Sequence, residues 1–352
     1  MIECIFTIDY EIYGNGEGSL EELVYEPAEM LLAMFRKHNL RFMPFVEVAE
    51  LEMIEREGTD AAIDLVKHQI CTFHKEGFEI GLHLHPQWYN GQYNSGRWLL
   101  DYGEYNLCAL ARERIGQIVD RSIAYLREVL GVSDFTPLSF RAGNWLFQPT
   151  KAVAKVLVER GVRVDSSVFK GGLQHQHQLD YRRCLKNGYF WRFSDQVDIS
   201  DPKGLLLELP IYTRMVPFWK MLTAKRIGLQ RKGLISPQNR NRWRDRILDF
   251  LRFSYPLKLD FCRMTINELT SVVEGVMRED QKSPTLYKPL VAIGHTKDLV
   301  DFQTVESFLS FLRKKGIGIS TFEGVLQFSD AEGLYGISDV KIKEAACRPV
   351  SY

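Results

Sequence analysis

The chain has 352 residues, of which 45% are hydrophobic and 26% charged, and its 45 lysines and arginines balance its 45 aspartates and glutamates. This is the composition of an ordinary globular protein, large enough to bury a core without disulfides. A net charge of zero makes no case for nucleic-acid binding, and no run approaches the ~18 apolar residues that cross a bilayer. The start, MIECIFTIDYE, has neither a basic segment nor an apolar stretch of the secretory kind, so a cytoplasmic location is expected. The six cysteines (Cys4, Cys71, Cys108, Cys184, Cys262 and Cys347) are scattered and are expected to be reduced.

In chain order, residues 2–9 read as a buried strand and residues 26–38 as a helix with Met30, Leu31, Met34 and Phe35 on one face. Residues 41–48 (RFMPFVEV) read as a strand, with Pro44 predicting an edge or irregular end. A helix over 51–75, interrupted near Gly58, is followed by a strand over 78–83. Residues 86–103, rich in Trp, Tyr, Asn and Gly, are expected to be a long loop. Then come a helix over 107–130, a strand over 137–141, a helix from Thr150 to Gly161, and strands over 162–165 and 205–211. A strand over 290–294, a helix over 305–315 and a strand over 317–321 close the pattern. Alternating strands and helices predict a parallel α/β architecture, a (β/α) barrel or a distorted relative of one, spanning residues 1–330 with a tail over 331–352. There is no GxGxxG after the first strand and no GxxxxGK[ST], so no phosphate-binding loop is expected.

Residues 214–252 stand apart. They carry eleven basic residues against Asp245 and Asp249, interleaved with Phe218, Trp219 and Trp243. They are expected to form part of an insertion at about 214–285. Such a segment is either a solvated surface element or a contact for an anionic partner, and its aromatic residues suit the anionic face of a membrane.

The chemistry concentrates at predicted strand ends, where a barrel builds its site. Asp9 and Glu11 end the first strand, His83 and His85 the third, Arg141 a later one and His295 the last. Residues two apart on a strand share a face, so His83 with His85, and Asp9 with Glu11, can reach one divalent metal. Taken alone, a histidine pair is as often structural, Asp9 could cap a helix, and Arg141 could be a surface ion pair. Four such strand ends together favour a site. His175 and His177 form a weaker pair in a Gln- and Gly-rich stretch.

The ordered set TIDYE, EIGLHLHPQW, SFRAGNW, GVRVDSSVF, LLELPIY and AIGHTKDL resembles the motif series of the polysaccharide deacetylases, the NodB-homology family of carbohydrate esterases. The resemblance runs from about residue 2 to residue 323. It implies a distorted (β/α) barrel, a divalent metal that is often zinc, and hydrolysis of an N-acetyl group on an amino sugar. The family's first motif usually reads T-F-D-D, its first aspartate the base and its second a ligand. Asp9 matches the base and Tyr10 stands at the ligand position. Glu11 is one source of the missing carboxylate, and Asp9 itself is another. The family has two histidines four apart. His83 matches the first, Gln87 stands at the second, and His85 is the expected replacement. Arg141 matches the arginine that orients the base, His295 the general acid, and Asp165 an aspartate that orients that acid. Trp88 and Trp145 are either sugar-facing walls or core. Three rivals remain: a deformylase or other amide hydrolase acting on a lipid-linked sugar, a glycan-binding relative without catalysis, and a glycoside hydrolase using Asp9 and Glu11.

Overall fold

The computed structural model describes residues 1–222, 254–284 and 286–332. Most of the basic segment 214–252 and most of the expected tail 331–352 therefore lie outside the described residues.

Nine strands make one curled sheet: β1 (Ile2–Tyr10), β2 (Met43–Glu47), β3 (Gly81–Leu84), β4 (Ser139–Ala142), β5 (Val164–Asp165), β6 (Trp191–Phe193), β7 (Leu206–Glu208), β8 (Lys288–His295) and β9 (Gly318–Ile319). Their spatial order is β6-β7-β5-β4-β3-β2-β1-β8, with β9 also paired to β1. Every pairing is parallel except that of β6 with β7. The α-helices among the described residues are α1 (Glu26–Lys37), α2 (Val48–Glu57), α3 (Ile63–Lys75), α4 (Arg112–Leu130), α5 (Lys151–Glu159), α6 (Ile266–Lys282), α7 (Phe302–Lys314) and α8 (Phe322–Glu332). The expected α/β class holds. The sheet is curled into a half-barrel: beyond β7 the chain meets β8 through isolated bridges of Ile211 with Val291 and of Asp260 with Ile293, and no continuous ladder closes it among the described residues.

Several elements differ from the sequence reading. Pro44 sits inside the sheet, in a strand paired on both sides. It is the second residue of β2, near the strand start where a missing N–H is tolerated. The expected loop over 86–103 contains a two-stranded hairpin, Gln92–Asn94 with Arg97–Leu99. Helix α6 was not foreseen; a capping box between Thr265 and Glu268 starts it. The expected break near Gly58 is present, with that glycine left-handed at φ 60° as the C-cap of α2.

The period of two in β1 divides its residues between two cores. Cys4, Phe6, Ile8 and Tyr10 belong to the large core beneath the helices. Ile5 belongs to a second core with Met43, Phe45, Val164, Leu207, Leu209 and Val291, joined by Phe322, Val325 and Leu326 of α8. Helix α8 thus supports the inner face of the sheet, and Thr7, Asp9 and Glu11 continue that face toward the carboxyl end of β1. No helix among the described residues is long and apolar enough to cross a membrane.

Candidate metal centre and its neighbours

Strand register assembles the site. Glu47 lies abreast of His83, and His83 abreast of Arg141, on β2, β3 and β4. Asp9 lies abreast of His295 on β8. Residues abreast in a parallel ladder point to the same side, so these groups converge at the carboxyl end of the inner face.

Arg141 has no solvent exposure. Its Nη1 donates to Asp9 Oδ1 at 2.5 Å, its Nη2 to Thr7 Oγ1 at 2.9 Å and Ser166 Oγ at 3.1 Å, and its Nε to the Ser166 carbonyl at 3.0 Å. The guanidinium lies 4.1 Å from the centre of the Phe45 ring. Gly81 makes room for that ring: a Cβ there would come within 2.6 Å of Phe45. Burial by itself would raise the Asp9 carboxyl, but Arg141, with His83 and His295 behind it, holds it below the usual range. Asp9 is thus a buried carboxylate with one oxygen fixed. Its other oxygen faces His295 Nε2 at 3.4 Å and His83 Nε2 at 4.0 Å.

Beside it is a cluster of two histidines and two glutamates. Glu11 Oε2 lies 3.2 Å from His85 Nε2 and 3.5 Å from His83 Nε2, and Glu11 Oε1 accepts from Lys297 Nζ at 2.7 Å. Burial opposes the Glu11 charge, yet Lys297 and the two histidines hold its carboxyl well below the usual range. His83 Nδ1 donates to the Arg141 carbonyl at 2.8 Å. That bond fixes the ring so that Nε2 faces the carboxylates, the arrangement metal-bound histidines use. Burial disfavours the charged ring, but Asp9 and Glu11 outweigh it and push the His83 pKa up to about 9. His85 Nδ1 lies 3.2 Å from the side-chain amides of Gln87 and Asn144. A half-turn of either amide presents its oxygen to Nδ1–H and leaves Nε2 free to bind a cation. Glu47 is fully buried, burial raises its carboxyl, and its Oε2 has no hydrogen-bond partner.

One donor atom each from Glu11, Glu47, His83 and His85 lies within 4.8 Å of the others, and a second group joins Asp9, Glu11 and His295. Two imidazoles with carboxylates form a donor set suited to a first-row divalent metal. The residues fit such an ion, and the lone Glu47 oxygen is the kind of buried polar atom that a cation would satisfy.

The remaining sequence candidates fall as follows. Tyr10 points to the opposite face of β1, where its hydroxyl meets Gln69 Oε1 at 2.5 Å, so it does not occupy the vacated ligand position. Gln87 is fully buried behind His85. Trp88 has no exposure and packs on Trp98 at 5.0 Å, so it is interior and not a sugar-facing wall. Trp145 is half-buried and meets His295 edge-on at 6.1 Å. Asp165 does not orient His295. It shares its register with Phe140 of the outer core, bonds Ser167 Oγ at 2.7 Å and pairs with Glu208. The carboxylate near His295 Nδ1 is Asp298, at 3.9 Å. Burial holds the His295 ring below its ordinary pKa despite Asp9 and Asp298. His177 stacks near Tyr105 at 4.9 Å, and neither it nor His175 enters a metal-type cluster among the described residues.

Sequence reasoning missed Glu47, Lys297 and Asp298. Glu47 left a trace as the lone carboxylate within the apolar run FMPFVEV, and the other two lie two and three residues after His295. Two consecutive residues after β4, Asn144 and Trp145, hold φ of 54° and 61°, a conformation uncommon outside glycine. Gly143 before them is required by space: a Cβ there would lie 2.5 Å from the Leu84 carbonyl and 2.8 Å from the His85 ring.

No protein-family profile matches the chain, and no curated protein sequence does. Among solved structures, the chain is similar to a protein from Mycobacterium smegmatis provisionally described as a polysaccharide deacetylase. That alignment has 14% identity and a TM-score of 0.54, and covers 95% of this chain and 91% of the other. It is also similar to a GH57-type branching enzyme from Pyrococcus horikoshii, at 10% identity and a TM-score of 0.52, covering 92% of this chain and 70% of that one. A CE4 family pseudoenzyme from Bacillus anthracis aligns at 10% identity and a TM-score of 0.42 over 93% of this chain and 65% of that one, too distant to argue from. At these identities the likeness establishes a shared fold. Because one scaffold hosts several activities, function has to be argued from the site.

Proposed function

We propose that the chain is a metal-dependent hydrolase that removes the N-acetyl group from an amino sugar of a surface polysaccharide or other glycan. The observation that carries this reading is one buried pocket of groups in which Asp9 is fixed by Arg141, faces His295 and adjoins the His83–His85–Glu11 cluster. Glu11, His83 and His85 would hold the divalent metal, with zinc the first choice. When bound, it would polarise the acetyl carbonyl and make an attacking water more acidic.

The protein's own groups supply the proton handling. Asp9 Oδ1 is engaged by Arg141, so Oδ2 is the oxygen left to accept a proton from water. His295 Nε2, 3.4 Å from Oδ2, is placed to pass a proton to the departing amine. Burial keeps this ring neutral near pH 7, so the proton it delivers is the one that Asp9 has collected. Trp145, at the edge of His295, has Lys258 Nζ over one face of its ring at 3.0 Å, so a sugar could meet only the rest of this partly buried ring. Asp298 lies 3.9 Å from His295 Nδ1, too far for a hydrogen bond, and acts on the ring by its charge.

The test is acetate release from N-acetylated amino-sugar oligosaccharides by protein purified without chelator. Release should stop with chelator and return with zinc, cobalt or nickel. Formyl substrates are assayed in parallel: formate release without acetate release would replace the reading by a deformylase. A protein that holds no metal and gains no activity with any of the three would leave a glycan-binding relative.

A further inference from the structure

We infer that Glu47 is a fourth protein ligand, so that the metal centre consists of two glutamates and two histidines and Asp9 stays outside it. This rests on the metal-dependent reading above. Glu47 and His83 are register partners on adjacent strands and project from the same face. Their donor atoms, with those of Glu11 and His85, lie within 4.8 Å of one another.

The two oxygens of Glu47 have different surroundings. Oε1 accepts the Glu50 N–H at 3.4 Å, at the start of α2. Oε2 is buried with no partner. Helix capping does not account for this residue, because the shorter Ser, Thr, Asp and Asn serve that position best. A buried carboxylate oxygen without a donor is costly, and a cation among these four side chains would remove that cost. The charges agree. Asp9 is matched by Arg141 and Glu11 by Lys297, while no fixed cation is paired with Glu47 among the described residues.

Four protein donors leave room for water and substrate only if the metal takes five or six ligands. Zinc meets that requirement by expanding from its usual tetrahedral shell to five ligands, and cobalt or nickel by taking five or six.

The experiment is calorimetric titration of metal-stripped full-length protein with Co²⁺, together with the visible spectrum of the cobalt form. Wild type, Glu47→Gln, Glu47→Asp and Glu50→Gln are compared. Wild type should bind one ion with the weak absorption of five- or six-coordinate cobalt. Glu47→Gln and Glu47→Asp should each lose at least about tenfold in affinity and change the spectrum. Glu50→Gln removes a neighbouring carboxylate but no donor of the cluster, and should do neither. Metal-free Glu47→Gln should unfold no earlier than wild type, which separates ligand loss from misfolding. Wild-type affinity and an unchanged spectrum in Glu47→Gln would overturn the inference and leave the proposed function standing. A wild type that binds no metal would overturn both.

Discussion

A guanidinium with no solvent exposure has to find its partners inside the protein. Arg141 does so with Asp9, Thr7, Ser166 and the Phe45 ring. Removing one member of such a buried pair strands the other. Arg141→Met should therefore destabilise by about 3–5 kcal/mol. With Asp9→Asn added, the loss should be smaller than the sum of the single losses, and urea unfolding of the four proteins measures the difference. The pair also separates base from ligand. Asp9→Asn should lower kcat by about 10²–10⁴ while metal content stays at the wild-type level. Loss of metal from that variant would make Asp9 a ligand instead.

At the scale of elements, the period of two in β1 explains why one motif position matters and its neighbour does not. Asp9 and Glu11 face the site, whereas Tyr10 faces α3 and bonds Gln69. A second consequence lies at the far end of the sheet. Glu79, just before β3, accepts the backbone N–H of Glu323 at 3.0 Å in the first turn of α8. Burial pushes its pKa from 4.5 up to about 7, only partly offset by the backbone N–H groups. Between these values the folded state keeps a proton that the unfolded state has released, so stability should fall as pH rises from 4.5 to 7 and then level off. The contribution is at most about 3 kcal/mol. Urea midpoints at pH 5 and pH 7.5 should show the decline in wild type and a reduced decline in Glu79→Gln. Equal declines would assign the pH dependence to other groups.

On the scale of the whole molecule, a continuous stack connects the floor of the curled sheet to the site. Phe322 of α8 lies 5.9 Å from Phe45, and Phe45 carries the Arg141 guanidinium on its ring. The outer surface raises a different question. We propose that the basic, aromatic stretch 214–252 meets an anionic membrane or the phosphate of a lipid-linked glycan. Trp219 and Leu222, at the start of that stretch, are 67% and 57% exposed, as an anchor requires. Vesicles containing anionic lipid should float the full-length protein at low salt and release it at high salt, while vesicles of neutral lipid should not float it. Absence of flotation at low salt would remove the membrane from the proposal.

The sequence by itself determined the α/β alternation and the placing of Asp9, Glu11, His83, His85, Arg141 and His295 near strand ends, because periodicity and strand parity are local properties written residue by residue. It could not determine that Asp165 faces the outer core, that Trp88 is interior, or that Glu47 belongs with the histidines. Those outcomes depend on which strands become neighbours and in what register, and a one-residue shift in register exchanges the two faces. Asp298 could be read as a neighbour of His295 in the chain, but only the turn after β8 brings its carboxylate toward Nδ1. The pairing of β2 with β3 sets Glu47 against His83. That long-range contact, which no local pattern encodes, turns a lone carboxylate in an apolar strand into a member of the proposed metal centre.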